Sequence, residues 1–272
     1  MPAPLPTGPL VTRDHIATQL RLLGVDSGET LLAHTSLSSL GWVNGGAVAV
    51  VQGVLDALGP AGTLVVPTQT GDLSDPALWQ NPPVPARWWE RIRATMPPYD
   101  PRLTPSLGVG VIAETVRTWP GALRSAHPQT SFAALGARAW EITEGHAPDC
   151  RLGEHSPLAR LEKLGARALL LGTGYDTCTS FHLAEYRIPA PLVRVGRPAP
   201  GGGWETVTEV SITSDRFDEL GHDFERDRPV TRGTVGAADV RLFPVADAVA
   251  YAERWLPLHR SREHELSHPD TL

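Results

Sequence analysis

The stretch from Leu169 to Ile188, LLLGTGYDTCTSFHLAEYRI, constrains the fold of this chain more than any other. It is led in by an apolar run, Ala168–Leu171, too short for a helix and closed by Gly172 and Gly174, which predicts a buried strand. A polar turn follows, then a helix. Thr177 or Thr179 is in place to cap that helix, and Phe181, His182, Ala184 and Glu185 fall on its first turns. His182 and Glu185 are spaced i to i+3, so an imidazole and a carboxylate share one helical face just past the carboxyl end of a strand. Open α/β sheets place their ligands there. A His–Glu pair on a helix is in many proteins a plain surface ion pair. Here the same turn also crowds Asp176, Thr177, Cys178, Thr179, Ser180 and two glycines beside the strand, a costly collection to place there without a task.

The rest of the chain repeats the strand, turn, helix order of βα units. Thr12 predicts the cap of a helix carrying Ile16, Leu20 and Leu23 and stopped by Gly24. Thr30–Ala33 predicts a short strand running into HTSLSSLGWVNGG and a helix, Ala47–Leu58, stopped by Gly59. A second unit starts at GTLVVP, whose strand Thr63–Pro67 delivers Thr68, Thr70, Gly71 and Asp72 into a loop. The region Asp72–Pro105, rich in proline and tryptophan, predicts an irregular excursion with a short helix near Trp88–Thr95, the kind of segment that forms lids or binding walls. Gly108–Trp119 predicts a helix. Its G-x-G-x-x-A spelling follows a proline-rich stretch instead of a strand, so it is not read as a nucleotide site. Glu154–Pro157 caps a helix, Leu158–Leu164, that feeds the central strand. Beyond it, Leu192–Val195 and Trp204–Ile212 alternate around Gly201–Gly203 as an antiparallel hairpin. An acidic helix at Asp215–Asp227, a strand at Val240–Phe243 and a helix at Ala246–Leu256 follow. The expectation is a single α/β domain over residues 1–272, with a central mixed sheet flanked by helices plus an added antiparallel β-hairpin, and flexible ends at 1–10 and 260–272.

Composition narrows function by exclusion. The 272 residues, 41% hydrophobic, suffice for a sizeable core. A net charge of −6 with no basic block argues against nucleic acid and favours cationic partners. No apolar run reaches bilayer length, and the N-terminal prolines stand where a signal peptide has its apolar core, so no membrane partner and a cytoplasmic location are expected. Cys150 and Cys178 make no metal-like spacing and read as reduced thiols. His182, Glu185, Asp176 and His34 supply enough ligand types for a zinc hydrolase, yet H-x-x-E without a second clustered His lacks the usual zinc pattern, and no metal is expected.

The turn His34–Gly41 is the second informative site. Backbone N–H groups and small hydroxyls in a Ser/Gly turn that opens a helix form an anion cradle, although Ser also fills turns for purely local reasons. Taken with the central segment, the motifs HTSLSSLGWVNGG, GTLVVPTQTGD, LTPSLGVGVIAE, RSAHPQTSFAALG, GEHSPLARL and LLLGTGYDTCTSFHLAEYR follow a known order and spacing. From about Val11 to Trp255 the chain resembles the aminoglycoside 3-N-acetyltransferases of the Antibiotic_NAT family. That resemblance implies a fold unrelated to the GNAT acetyltransferases. It also implies transfer of acetyl from acetyl-CoA, as co-substrate, to the 3-amino group of a 2-deoxystreptamine aminoglycoside, giving antibiotic resistance. A biosynthetic amine as acceptor, or a CoA- or antibiotic-binding protein without turnover, are the alternatives. The family's pattern implies a coenzyme A cleft at His34, Thr35, Ser36, Leu37, Ser38 and Ser39, together with Ser106 of LTPSLG, and a base at His182 of HLAE. Thr35 replaces the family's Ser and keeps the hydroxyl, whereas Cys178 replaces its Asn and removes an amide.

The chemistry asks for matching residues. An aminoglycoside is a polycation without an apolar face, so Asp72, Glu185 and Asp223 are expected to line its groove, while Asp75 and Glu225 read as solvated charges. An amine attacks a thioester only when neutral, which calls for His182 as base, oriented by Glu185 or Asp176. The oxyanion would be met by N–H groups of the Ser36–Ser39 turn or by the Thr179 hydroxyl. His34 is expected to hold coenzyme A or relay a proton, and His127 and His155, each beside a turn, to be structural. A homodimer is compatible with the chain, whose oligomeric state the sequence leaves open.

Overall fold

The protein is described here by a computed structural model covering residues 8–260. The first helix, α1 (Arg13–Leu22), begins where Thr12 accepts a hydrogen bond from the His15 amide at 3.3 Å. Strand β1 (Thr30–Thr35) then leads through the Ser-rich turn into α2 (Gly46–Leu58) and β2 (Thr63–Pro67). The proline-rich excursion carries the short α3 (Trp89–Thr95) and returns through α4 (Gly110–Arg117). Next come β3 (Leu123–Arg124), β4 (Phe132–Gly136), α5 (Ala139–Thr143) and α6 (Pro157–Lys163), the last with Ser156 as its cap. The central strand β5 (Arg167–Leu171) leads into α7 (Phe181–Glu185). The chain closes with the hairpin β6 (Leu192–Pro198) and β7 (Trp204–Val210), then α8 (Phe217–Asp227), β8 (Thr231–Val235), β9 (Ala238–Pro244) and α9 (Val245–His259).

Among the described residues the main sheet has seven strands in the order β3-β4-β2-β1-β5-β9-β8, and the hairpin stands apart as a second sheet. Only the centre is parallel: β1 pairs with β2 on one side and with β5 on the other. The flanking pairs β2–β4, β3–β4, β5–β9 and β8–β9 are antiparallel. From β1 the chain crosses to β2 on one side and reaches β5 on the other only later, so the gap between β1 and β5 is the point where strand order reverses. Connections leave a doubly wound sheet in opposite directions there, which opens a crevice at the carboxyl ends of the strands.

Both faces of the sheet are covered, so its central strands read as unbroken apolar runs and not as alternations. Leu31, Ala33, Leu169 and Leu171 pack with α1, α2 and α4 through Ile16, Leu20, Val50, Val54 and Ile112. Leu32, Ala168 and Leu170 face the other layer, where Phe181, Phe217, Phe224, Phe243 and Trp255 gather. His34 is two residues beyond Leu32 and points to that same second layer, the one that holds α7. Strand periodicity therefore aims this histidine at the site.

Several expectations need correction. The first strand extends through His34 and Thr35, and the edge strand β8, the two-residue β3 and helix α5 were not foreseen. Helix α7 lasts five residues, and neither threonine caps it. Thr177 donates instead to the Gly174 carbonyl and Thr179 is bonded to His34. The predicted flexible ends fall mostly on residues 1–7 and 261–272, which lie outside the described residues, but Arg260 is anchored by its side chain. Arg124 on β3 holds the excursion against the sheet, donating to the Thr104 carbonyl of the excursion and to the Thr68 carbonyl just after β2 at 2.7 Å, and Tyr99 donates to the Ser125 carbonyl at 2.9 Å.

Helix α8 sets the loop before α7. Tyr175 of that loop is 1% exposed and stacks on Phe181 with centroids 6.2 Å apart. A Cβ on Gly221 of α8 would lie 1.9 Å from Tyr175 Cγ, so this helix lies as close as a glycine permits. Gly221→Ala should lower the unfolding free energy by about 1–3 kcal/mol, as overpacking of a filled core does, despite alanine's better helix propensity. Urea denaturation measures it, and an unchanged or raised stability would contradict the close packing.

Candidate active site

The strand ends bring the two informative segments together. Thr35 is paired with Leu171, the Ser36 amide donates to the Leu171 carbonyl at 2.9 Å, and Ser39 Oγ donates to the Gly172 carbonyl at 2.9 Å. Gly172 has φ +72°, and a Cβ there would lie 2.5 Å from that of Ser39. Glycine is thus needed where the central strand turns under the Ser-rich segment.

The His182–Glu185 pair is buried, with His182 6% and Glu185 2% exposed. Its Nδ1 lies 2.6 Å from Glu185 Oε2. The other carboxylate oxygen, Oε1, accepts from the Thr213 amide at 3.1 Å and from the Arg260 guanidinium. A buried carboxylate is stable only when charged partners and donors replace water, and here every partner is supplied by the protein. With Nδ1 engaged by the carboxylate, Nε2 is the nitrogen left for chemistry. The surface ion-pair reading fails on burial. Of the two carboxylates considered as its partner, Glu185 is the one on His182. Asp176 is exposed, lines the cleft, and has its backbone amide donating to Asp218 Oδ1 at 3.1 Å.

A second histidine stands behind the first. His34 Nε2 lies 3.3 Å from Thr179 Oγ1, a contact between residues 145 apart in sequence. Burial first, and the charge of a protonated His182 second, push the His34 pKa down to about 3, so its ring is neutral in neutral solution. His34 thus orients the Thr179 hydroxyl without adding charge to the site.

A cleft of about 770 Å³ opens over these groups, lined by His34, Ser36, Ser38, Asp176, Thr179 and His182. Thr35 and Leu37 line it as well, and Trp42 stands at its wall, half exposed. Ser39 does not line it; this hydroxyl braces the turn, donating to the Gly172 carbonyl and lying in hydrogen-bond contact with Ser36 Oγ at 2.8 Å. Ser106 lines neither this cleft nor its neighbour, because its hydroxyl donates to Glu114 at 2.6 Å. The Ser-rich turn does not open α2 directly: a one-turn 3-10 helix, Ser38–Leu40, intervenes, and the helix starts at Gly46, which also lines the cleft. The Ser36 amide, already bonded to Leu171, is withdrawn from the expected oxyanion donors.

A second cavity of about 700 Å³ continues from the first, sharing Gln69 and Gly108 with it. Asp72, Asp75, Trp79, Gln129 and Arg151 are among its walls. Asp75 is ion-paired with Arg93 at 2.6 Å, whereas Asp72 is exposed. Asp223, expected in the groove, lines neither of these two cavities: it accepts from Trp255 Nε1 at 2.8 Å and pairs with Arg226 at 3.0 Å. Glu225 is likewise no solvated charge, being held between Arg232 at 2.9 Å and Arg241 at 3.3 Å. His127 is fully buried and accepts the Gln129 and Thr130 amides, fixing a turn, while His155 is exposed. Cys178 is buried, and its thiol is pushed up to about 12 by that burial. Among the described residues no three His, Cys, Asp or Glu side chains gather as a metal site, and no helix is long and apolar enough to cross a membrane.

Fold and site together define an α/β protein with a buried His–Glu pair opening on a deep cleft at the carboxyl ends of parallel strands. The chain belongs to the Antibiotic_NAT family, described as aminoglycoside 3-N-acetyltransferase, which matches residues 32–257. It is 43% identical over 253 residues to the SPbeta prophage-derived aminoglycoside N(3')-acetyltransferase-like protein YokD of Bacillus subtilis (strain 168), covering 90% of this chain and 92% of that one. The crystal structure of YokD matches with a TM-score of 0.90 over 92% of this chain and 94% of its own. Aminoglycoside N(3)-acetyltransferase VIII of Streptomyces fradiae is 37% identical, over 90% of this chain and 92% of that one. A structure of AAC-IIIb in binary complex with CoASH is 31% identical and matches with a TM-score of 0.80, over 93% of this chain and 99% of that one.

The buried histidines give stability a pH dependence. Burial lowers His34 to about 3 and His146 to about 4, and holds His127 well below the usual range. In the unfolded chain each takes a proton near pH 6.5, so below that pH the unfolded state binds protons that the folded state refuses. Stability should be full above about pH 6.5 and fall as the pH drops toward 4. His34→Gln should reduce the loss between pH 7.5 and 5 by about 2 kcal/mol, one proton's share. Urea unfolding at the two pH values tests this, and identical losses in wild type and variant would count against a neutral His34.

Proposed function

We propose that the protein is an acetyl-CoA-dependent N-acetyltransferase that modifies the 3-amino group of a 2-deoxystreptamine aminoglycoside, inactivating the antibiotic in the cytoplasm. The observation that carries this reading is the buried His182–Glu185 pair on the wall of a cleft that also carries the Ser-rich turn. Family membership and the CoASH complex of AAC-IIIb support coenzyme A as the cosubstrate product. Hydroxyls of Ser36 and Ser38 and the indole of Trp42 offer polar and flat apolar contacts suited to a pantetheine arm and its nucleotide.

In this reading the acceptor occupies the neighbouring cavity, where Asp72 attracts its ammonium groups. His182 Nε2 takes the proton of the attacking amine as its nitrogen bonds to the thioester carbonyl carbon. Glu185 steadies the imidazolium that results. The Thr179 hydroxyl, held by His34, donates to the developing oxyanion, a term that carries a large share of acyl-transfer catalysis. Collapse breaks the C–S bond, and the leaving thiolate takes the proton back from the His182 imidazolium, which releases coenzyme A and restores the base. Deep burial of the dyad keeps water from competing for the acetyl group.

The deciding experiment is thiol release from acetyl-CoA against a panel of aminoglycosides and simpler amines, with product mass to count acetyl groups. One added acetyl on a 2-deoxystreptamine aminoglycoside is expected. Coenzyme A binding with no turnover of any amine would overturn the enzymatic reading. His182→Ala should lower kcat by on the order of a hundredfold or more with little change in coenzyme A affinity, as loss of a general base does. An unaltered kcat would remove His182 from the mechanism. Acceptor capture through charge predicts a further asymmetry: added salt, or Asp72→Asn, should raise the acceptor's KM more than that of acetyl-CoA. Equal responses of both KM values would dismiss the role of Asp72.

A further inference from the structure

Arg260 follows α9 and lies past residue 257, where the match to the family stops. A charged residue in such a position is expected at the surface, yet its side chain is only 4% exposed. Its guanidinium is forked. One nitrogen, Nη1, donates to Glu185 Oε1, while Nη2 donates to the Thr213 carbonyl at 2.6 Å and to the Asp215 carbonyl at 3.0 Å. Its Cζ lies over Phe217, 5.3 Å from the ring centroid, and that ring is 4.8 Å from the ring of His182. A helix-end anchor alone would need only the two carbonyls. The contact with Glu185 ties the same side chain to the carboxylate that holds His182.

We infer that Arg260 is a positioning residue for catalysis, acting on His182 through Glu185. The inference rests on the reading of His182 as base. Arg260 and the Thr213 amide together occupy Glu185 Oε1, so the carboxylate cannot rotate, and Oε2 stays on His182 Nδ1 at 2.6 Å. Because Nδ1 then keeps its proton, Nε2 presents its lone pair to the cleft. The positive charge also compensates a carboxylate that is 2% exposed and would otherwise be buried with only an imidazole and an amide for partners. Lysine could supply the charge but not the planar fork that spans a carboxylate and two carbonyls. A residue at the far end of the chain thus sets the geometry of a dyad made within a five-residue helix.

The test uses Arg260→Ala and Arg260→Lys in the full chain, with Arg254→Ala, an exposed residue of α9, as control. In thiol release, kcat of both Arg260 variants should fall by about ten- to a hundredfold, the cost of misplacing a catalytic group, while the KM for acetyl-CoA stays within about twofold. Millimolar guanidinium should restore part of the lost kcat in the alanine variant and do nothing for wild type. A readout independent of turnover is the downfield proton resonance of His182 Nδ1–H, assigned by its loss in His182→Gln. It should weaken or move in Arg260→Ala and return with guanidinium. Normal kcat in both variants, or an unchanged resonance beside a loss that guanidinium does not rescue, would reduce Arg260 to an anchor and overturn the inference. If the alanine variant does not fold, the lysine variant decides: reduced kcat with native thermal stability supports positioning, and native kcat refutes it. If wild type turns over no amine, the proposed activity fails, while the resonance still reports whether Arg260 holds the pair.

Discussion

A carboxylate removed from water is the constraint around which this structure is arranged. Glu185 is 2% exposed, and an ion so placed is tolerable only if the fold supplies what hydration would have. The supply comes from three separate parts of the chain: His182 one turn earlier, the Thr213 amide in the segment before α8, and Arg260 after α9. Each must be in place for the others to be stable. The elements that bring them are therefore fixed relative to one another, and the geometry of the His182–Glu185 pair follows from an electrostatic requirement.

The sheet explains why the pair faces a cavity. With β1 parallel to both β2 and β5, connections diverge at the carboxyl ends and leave room between the Ser-rich turn and the loop after β5. The two-residue period of β1 sends His34 to the layer that holds α7, where burial keeps it neutral and its ring meets Thr179. A cation in that position would repel a protonated His182. The neutral ring instead leaves the site without a second positive charge beside His182.

Legibility of this architecture varied with the range of the forces involved. The strand Ala168–Leu171, the helices after Thr12 and Ser156, and the hairpin around Gly201–Gly203 were readable because apolar periodicity, caps and turn residues act within a few positions. That His182 and Glu185 share one helical face was readable for the same reason, although the choice between Glu185 and Asp176 as partner of the ring was not. Asp223 went the other way. Its place in an acidic stretch suggested a groove for cations, but the indole of Trp255 and the guanidinium of Arg226 claim it. Charge composition does not say which carboxylates remain uncommitted. Thr177 and Thr179 looked like caps because capping is a local rule, and the contact with His34 across 145 residues took precedence for Thr179.

By itself the sequence determined the α/β class, the order of its βα units, the chemical identity of the His–Glu pair and, through several motifs in register, the family. These depend on nearest neighbours in the chain or on patterns preserved along it. Tertiary structure alone decided which carboxylate touches His182, that His34 is neutral and adjoins Thr179, that two cavities join at Gln69 and Gly108, and that Arg260 reaches Glu185 from 75 positions away. The physical reason is that desolvation and long-range pairing are properties of the packed state. A side chain's burial and its partners come into being only when segments distant in sequence close around it.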